Sequence, residues 1–163
     1  MRSISSIPLK IFDANGLQHQ LKRWRLQDKK IVFTNGVFDI LHEGHIASLT
    51  EAASFGHVLI IGLNADASVK RIKGESRPVN NEQSRALILA SLVMVDAVIL
   101  FEEDTPFDLI TSIMPDVMVK GGDYTPGQVV GAKEVIAAGG ELKIVPTLEG
   151  FSTTGIIERM KTK

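Results

Sequence analysis

Two histidines lie close together in the motif His42-Glu43-Gly44-His45, where an apolar run gives way to a turn. Imidazole side chains can bind metals, exchange protons or donate hydrogen bonds to an anion. Gly44 lets a ligand approach the backbone closely, because glycine has no Cβ. If a helix begins here, its first N–H groups are unpaired and point at the same ligand. The motif therefore indicates either metal binding or phosphate binding.

A metal site is not supported by the available ligands. The zinc-protease pattern HExxH needs one more residue between its histidines than His42 and His45 have. The chain has no cysteine, and no further cluster of histidines and carboxylates completes a site. We therefore expect no metal held by protein ligands. The alternative is a structural role, in which one imidazole caps the helix and the other packs in the core. We would prefer such a role for a lone histidine, but a pair of histidines beside a glycine favours phosphate chemistry. Such donors act most strongly when phosphoryl oxygens gain charge in the transition state.

Alternating strands and helices are predicted to position the two histidines. Five short runs rich in β-branched residues are almost continuously apolar, which is typical of strands buried on both faces, at 31–33, 58–61, 97–100, 117–119 and 142–145. Helix-like stretches lie at 44–54, 81–93, 106–113, 129–138 and 152–160. This order predicts an α/β fold, a Rossmann-like, doubly wound, five-stranded parallel sheet with helices on both faces.

Composition and length indicate one domain over residues 1–163, with 1–29 as an N-terminal helical extension packed on it. In that extension, Leu17, Leu21 and Trp24 would form the apolar face. Eighteen Lys+Arg balance nineteen Asp+Glu, so no bulk attraction to nucleic acid or to a membrane surface is expected. The lack of cysteine, of a signal peptide and of a long apolar run predicts a cytoplasmic protein without a membrane partner.

Polar clusters follow the predicted strands. Because ligands bind beyond the carboxyl ends of strands in open α/β sheets, these clusters should meet at one edge. They are Thr34-Asn35-Gly36, Asn64-Ala65-Asp66, Glu102-Glu103-Asp104, Lys120-Gly121-Gly122-Asp123 and Ser152-Thr153-Thr154. Glycines that allow close backbone approach, together with hydroxyls at a helix start, suit a bound phosphate.

The motifs resemble those of the HxGH nucleotidyltransferase superfamily, through Thr34-Asn35-Gly36, Phe38-Asp39, His42-x-Gly-His45 and the Ser-Thr-Thr segment. Within that superfamily the chain is similar to the bacterial D-glycero-β-D-manno-heptose 1-phosphate adenylyltransferases of lipopolysaccharide-core biosynthesis. Four segments in order carry this similarity: FTNGVFDILHEGH, NADASVKRIKGESRPVN, VDAVILFEEDTP and VKGGDY. The resemblance extends from Lys30 to the last residue.

The resemblance implies a reaction and its site residues. AMP would pass from ATP, accompanied by Mg²⁺, to a sugar 1-phosphate, giving ADP-heptose and pyrophosphate; ATP and the sugar 1-phosphate are the expected partners of a homodimer. The implied catalytic residues are His42 and His45 at the α-phosphate and Lys73 as a transition-state contact. The implied nucleotide-binding residues are Thr34, Asn35, Gly36, Phe38, Lys120, Gly121, Asp123, Ser152, Thr153 and Thr154.

Neighbouring charged residues lead to three further expectations. The segment 70–80, with Lys70, Arg71, Lys73 and Arg77, is predicted to be a mobile loop that closes over bound triphosphate as a lid. Arg85 would either reach phosphate or pair with Glu82. Asp39 is expected to be structural and to tie down the turn.

Two alternative functions remain open on the sequence alone. One is a glycerol-3-phosphate cytidylyltransferase-like enzyme that uses CTP; related cytidylyltransferases carry an arginine where this chain has Thr147, which weakens that interpretation. The other is a non-catalytic nucleotide-binding module, which the complete histidine pair disfavours.

Overall fold

The computed structural model describes residues 6–122, 124–148 and 150–161. Its centre is a single parallel sheet in the order β1-β4-β3-β2-β5-β6. The strands are β1 (Ile11–Phe12), β2 (Ile31–Gly36), β3 (Val58–Asn64), β4 (Ala97–Phe101), β5 (Val117–Gly121) and β6 (Glu141–Val145). The predicted α/β fold is confirmed, and each of the five predicted strands is present. The sixth strand, β1, pairs with β4 at the edge and was missed.

Seven α-helices connect or flank the strands in the described residues. They are α1 (Ala14–Leu26), α2 (Glu43–Ser54), α3 (Asp66–Lys73), α4 (Glu82–Ala90), α5 (Phe107–Ile113), α6 (Ala132–Ala137) and α7 (Thr153–Lys161). Helix α1 begins after Asp13, whose side chain accepts a hydrogen bond from the Gly16 N–H, and it buries Leu17 and Leu21. In the described part of the chain, we find no helix with the length and apolar character needed to cross a bilayer.

The sheet is buried on both faces. One core cluster joins one face to α1, α5 and α6 and includes Leu17, Leu21, Phe33, Ile60, Ile110, Met118 and Val135. The other cluster joins the opposite face to α2 and α4 and includes Val32, Leu49, Ile61, Leu89, Val98 and Val119. Because consecutive residues of β2 belong to opposite clusters, the continuous apolar runs of the sequence correspond to strands covered on both sides.

A crevice forms where the strand order reverses. From β2 the chain proceeds to β3 and β4 on one side, and then returns to place β5 and β6 on the other. Strands β2 and β3 stay in register as far as Gly36 and Leu63. Strands β2 and β5 pair only at Val32–Val117 and Phe33–Met118. The two strands therefore separate toward their carboxyl ends, where open α/β sheets bind ligands.

Candidate active site

A cavity of about 360 Å³ opens at this crevice. The end of β2, the N-terminus of α2, the end of β5 and the N-terminus of α7 form its walls. Most of the predicted site residues line it together: Thr34, Asn35, Gly36, Phe38, His42, His45, Lys120, Gly121, Ser152 and Thr153. Thr154 is exposed and does not line the cavity. The predicted contact Asp123 lies outside the described residues.

The two histidines form a stacked pair in this cavity. Their ring centroids are 3.8 Å apart and the planes differ by 21°. His42 has extended backbone at the start of α2, and its carbonyl accepts the N–H of His45 at 2.9 Å. Its side chain makes no capping hydrogen bond. Among the described residues, the Nδ1 atoms of both rings are buried without a hydrogen-bond partner. Buried polar atoms are almost always paired, so these nitrogens are available for a hydrogen bond to a bound ligand.

Both imidazoles are neutral at neutral pH. Burial lowers the pKa of His45 to about 4, and the charge of a protonated His42 acts in the same direction. Burial also lowers the pKa of His42. A neutral imidazole has one N–H donor and one acceptor nitrogen. The pair can therefore offer two donors to phosphoryl oxygens without two adjacent positive charges.

Glycine and phenylalanine residues set the position of the pair. A Cβ at Gly44 would lie 3.1 Å from Nδ1 of His42 and 3.2 Å from Cβ of Phe151. Glycine therefore lets the His42 ring fold over the first turn of α2. Phe38 adopts a left-handed backbone with φ 45°, and its ring is tilted against His45 with centroids 5.2 Å apart. A Cβ at Gly36 would come within 2.9 Å of the Phe38 ring, so that position must also remain small.

Lys120 supplies a half-buried cation at the end of β5. Its Nζ lies 3.4 Å from Oδ1 of Asn35 and 5.7 Å from the ring centroid of Tyr124. Burial lowers the pKa of Lys120. No carboxylate of the described residues forms an ion pair with it. The ammonium group is therefore free to pair with an anionic ligand.

The N-terminus of α7 forms the remaining wall. Ser152 caps this helix, since its Oγ accepts the Gly155 N–H at 3.0 Å. The Thr153 hydroxyl donates to the Ile40 carbonyl at 3.3 Å. Unpaired N–H groups and the positive end of the helix dipole favour an anion at this position. The helix thus faces the same cavity as the histidine pair.

A second, polar cavity of about 230 Å³ adjoins the first. The two cavities share Asn35, Lys120 and Tyr124. The other polar residues of the second cavity are Asp104, Thr105 and Gln128, and sequence reasoning missed Thr105 and Gln128. Of these, only Asp104 belongs to one of the predicted polar clusters, the one that follows β4.

The prediction of a loop over 70–80 is wrong at both ends. Lys70 to Lys73 belong to the last turn of α3, and Lys73 is exposed and does not line the cavity. Arg71 pairs with Asp104 at 2.7 Å. Arg77 pairs with Asp39 at 2.6 Å. Residues 74–76 form the exposed connection between these two anchored parts.

Two further charged residues have structural partners. Arg85 neither reaches the cavity nor pairs with Glu82; its Nη2 lies 2.6 Å from the Asp66 carboxylate. The structural role predicted for Asp39 is confirmed. Burial alone would raise the pKa of Asp39, but hydrogen bonds from the N–H groups of Asn80 and Val79, together with the Arg77 guanidinium, lower this pKa overall.

Comparison with known proteins identifies relatives of similar sequence and fold. The bifunctional protein HldE of Koribacter versatilis is 50% identical over 157 residues, covering 94% of this chain and 32% of that protein. HldE of Rhodopseudomonas palustris is 56% identical over 151 residues, covering 92% and 31%. The chain thus spans about a third of the length of these relatives.

Solved structures of other proteins also resemble this chain. The lipopolysaccharide core biosynthesis protein from Thermoplasma volcanium superposes with a TM-score of 0.60 at 30% identity, covering 74% of this chain and 97% of that one. Pantoate-beta-alanine ligase from Francisella tularensis shares the fold, with a TM-score of 0.61 at 19% identity, covering 93% and 76%. The cytidylyltransferase-like family model matches residues 33–159. The predicted nucleotidyltransferase resemblance is therefore confirmed: the chain belongs to the cytidylyltransferase-like family.

Proposed function

We propose that this domain transfers AMP from MgATP to D-glycero-β-D-manno-heptose 1-phosphate, giving ADP-heptose and pyrophosphate for lipopolysaccharide-core synthesis in the cytoplasm. The stacked, neutral pair of His42 and His45, with buried unpaired nitrogens, is the observation that carries this proposal. Membership of the cytidylyltransferase-like family supports nucleotidyl transfer. The four sequence segments described above support the sugar, and the name of the Thermoplasma relative supports the pathway.

The reaction needs positioning and charge stabilisation rather than a base. An anionic oxygen of the sugar 1-phosphate forms a bond to the α-phosphorus of ATP. The bond from that phosphorus to the oxygen bridging the β-phosphate breaks, and pyrophosphate leaves with the electron pair. Because the nucleophile is already ionised, no side chain has to remove a proton. His42 and His45 donate to the non-bridging oxygens as their charge grows, and the N-terminus of α7 binds the β- and γ-phosphates.

Magnesium enters the site as part of the nucleotide substrate. In the described ranges, no three His, Cys, Asp or Glu side chains form a group that could hold a metal ion. The proposed ligands of Mg²⁺ are therefore the phosphate oxygens and water, as is usual for this ion. Lys120 supplies the positive charge of the protein beside them.

The second cavity suits the sugar of the acceptor. Its hydroxyls and amide groups, together with the Asp104 carboxylate, can donate to and accept from sugar hydroxyls. Lys120 and Asn35, shared by both cavities, lie where the acceptor phosphate would meet the α-phosphate. This arrangement allows both substrates to bind at once, which the direct transfer requires.

Pyrophosphate release tests the proposal. ATP and CTP are each combined with heptose 1-phosphate, glycerol 3-phosphate and free heptose, with the His42→Gln/His45→Gln double variant as the inactive control. We expect turnover with ATP and heptose 1-phosphate and none with the free sugar. Preference for CTP and glycerol 3-phosphate would support the cytidylyltransferase alternative. Nucleotide binding without pyrophosphate release from any pair would support the non-catalytic module.

The homodimer also remains a proposal, and light scattering on the purified chain tests it.

A further inference from the structure

Arg85 is the largest fully buried side chain of the molecule's described core, with 1% of its surface exposed. Its guanidinium donates to four acceptors in three segments of the chain. Nη1 donates to the carbonyls of Val37 at 2.7 Å and Asn64 at 2.9 Å, and Nε donates to the carbonyl of Asn80 at 3.0 Å. Nη2 donates to the Asp66 carboxylate at 2.6 Å. The rigid planar fork of arginine makes such a set possible, and lysine cannot reproduce it.

The bond to Val37 holds the peptide group that precedes Phe38. Phe38 has a positive φ of 45°, a conformation that costs energy for a residue with a bulky side chain. Such a conformation persists only where surrounding contacts enforce it. The ring of this residue is tilted against His45, which in turn stacks on His42.

The residue after Phe38 is anchored to the same network. Asp39 accepts the N–H groups of Val79 at 2.8 Å and Asn80 at 2.9 Å. The side chain of Asn80 donates back to the Asp39 carbonyl at 2.8 Å. Since the Asn80 carbonyl accepts from Arg85, one continuous set of hydrogen bonds fixes the chain on both sides of Phe38.

We propose that Arg85 is a positioning residue for the histidine pair: through the Val37 carbonyl it holds Phe38 in its left-handed conformation, and Phe38 holds His45 in the stack. Arg85 does not line the cavity, so it acts without touching substrate. A buried charge of this kind is often replaceable by apolar side chains without loss of stability, so stability alone does not account for the arginine. The catalytic consequence rests on the proposed transfer function, whereas the conformational consequence does not.

The test compares Arg85→Lys with Arg25→Lys. Arg25 also donates to backbone carbonyls, those of Ile113 and Met114, but at the opposite edge of the sheet. Arg85→Lys keeps the positive charge but loses the planar guanidinium group with its several N–H donors. We expect its kcat to fall on the order of 10²-fold, the effect of a misplacement of about 1 Å, with the KM for ATP unchanged. Arg25→Lys should retain the wild-type kcat.

The second readout does not depend on catalysis. The Cε1–H resonance of His45, assigned with His45→Gln, carries ring-current shifts from His42 and Phe38. The chemical shift of this proton should move toward the value of a histidine in an unfolded chain in Arg85→Lys. It should stay unchanged in Arg25→Lys. If Arg85→Lys fails to fold, Arg85→Met serves instead, because an apolar side chain can often replace a buried charge while the bond to the Val37 carbonyl is lost; we expect a loss of kcat and a shift in the same direction.

An unmoved His45 resonance in a folded Arg85→Lys or Arg85→Met variant would overturn the positioning role, whatever the activity. Wild-type kcat in a folded Arg85→Lys variant would also overturn it. If the wild-type domain releases no pyrophosphate, the proposed function fails, while the resonance still decides whether Arg85 positions the histidines.

Discussion

The carboxylate of Asp39 accepts a 2.6 Å hydrogen bond from the guanidinium of Arg77, and both side chains are largely withdrawn from water. Breaking a pair of this kind by removing one partner is costly, since the other charge stays buried. The pair fixes the end of a segment that begins at Gly74, which has a φ of 94° after the last turn of α3. Any movement of this segment is therefore restricted to residues 74–76 and the helix end before them.

The first prediction concerns the anchoring of this segment. Asp39→Asn removes the charge that holds Arg77 and weakens the contacts of Val79 and Asn80, so tryptic cleavage after Lys73 should become faster. Fragment masses from limited proteolysis measure this. Glu141→Gln is the matched control, because it weakens exposed ion pairs away from this segment and leaves the contacts of Asp39 and Asp104 intact. Equal cleavage rates in both variants and the wild type would contradict the anchoring role.

The second prediction retains the proposed role of Lys73. If Lys73 contacts phosphate, MgATP should draw the end of α3 toward the cavity and slow cleavage after this residue in the wild-type protein. Lys73→Gln should lower kcat while leaving thermal stability nearly unchanged, because the side chain is exposed. Normal turnover in this variant would remove Lys73 from the mechanism.

The third prediction concerns the histidine pair. His42→Gln and His45→Gln should each lower kcat by on the order of 10²–10³-fold, the usual effect of losing one donor to a charged transition state. The KM for ATP should change little, because the interaction strengthens mainly in the transition state. His19→Gln, on the exposed surface of α1, is the control variant and should keep the wild-type kcat. Loss of ATP binding with an unchanged kcat would argue for a ground-state role instead.

The fourth prediction is a pH dependence of stability. The pKa of His45 is about 4 in the folded protein, below its ordinary value of 6.5. Between these two values the unfolded chain binds a proton at this position and the folded chain does not. The free energy of unfolding should therefore fall as the pH is lowered from above 6.5 to about 4, and this contribution is constant outside that window. Thermal melts across the range measure it, and His45→Gln should flatten the slope. An identical slope in the variant would show that other groups cause the effect.

The fifth prediction separates stability from function at Lys120. Burial lowers the pKa of this residue, so its charged form is unfavourable when no anion is bound. Lys120→Met should therefore leave the melting temperature of the free protein equal or raised. It should also weaken binding of MgATP and abolish most of the thermal stabilisation that MgATP gives to the wild type. Calorimetric titration and thermal melts test this, and a large drop in the stability of the free variant would contradict it.

Much of the fold followed from local sequence, because strands such as β3 are apolar at nearly every position. β1 has only two residues, too few for any periodicity, and it is defined by its pairing with β4. Helix α3 was missed because its sequence, DASVKRIK, is mostly polar. It forms because Ser68 and Val69 pack inward while its lysines stay in water.

Much of the site could also be predicted, because the sheet topology brings its residues together. The carboxyl ends of parallel strands must lie at one edge, so Thr34 and Lys120 were expected to meet although they are far apart in sequence. The charge pairs were not predictable in this way. Asp39 and Arg77 are 38 residues apart, and Arg85 and Asp66 are 19 apart. Many cations could serve each carboxylate, and only the packed tertiary structure selects one.

The stack of His42 and His45 also sets how many protons the site can exchange. With centroids 3.8 Å apart, a positive charge on one ring opposes a positive charge on the other. Near this separation two like charges repel by about 4 kcal/mol at an effective dielectric constant of about 20. If the proposed function holds, we expect a bound polyphosphate to draw a single proton onto the pair, so that nucleotide binding is linked to the uptake of at most one proton by these rings. Calorimetry in buffers of different ionisation enthalpy would register this uptake as a buffer-dependent heat.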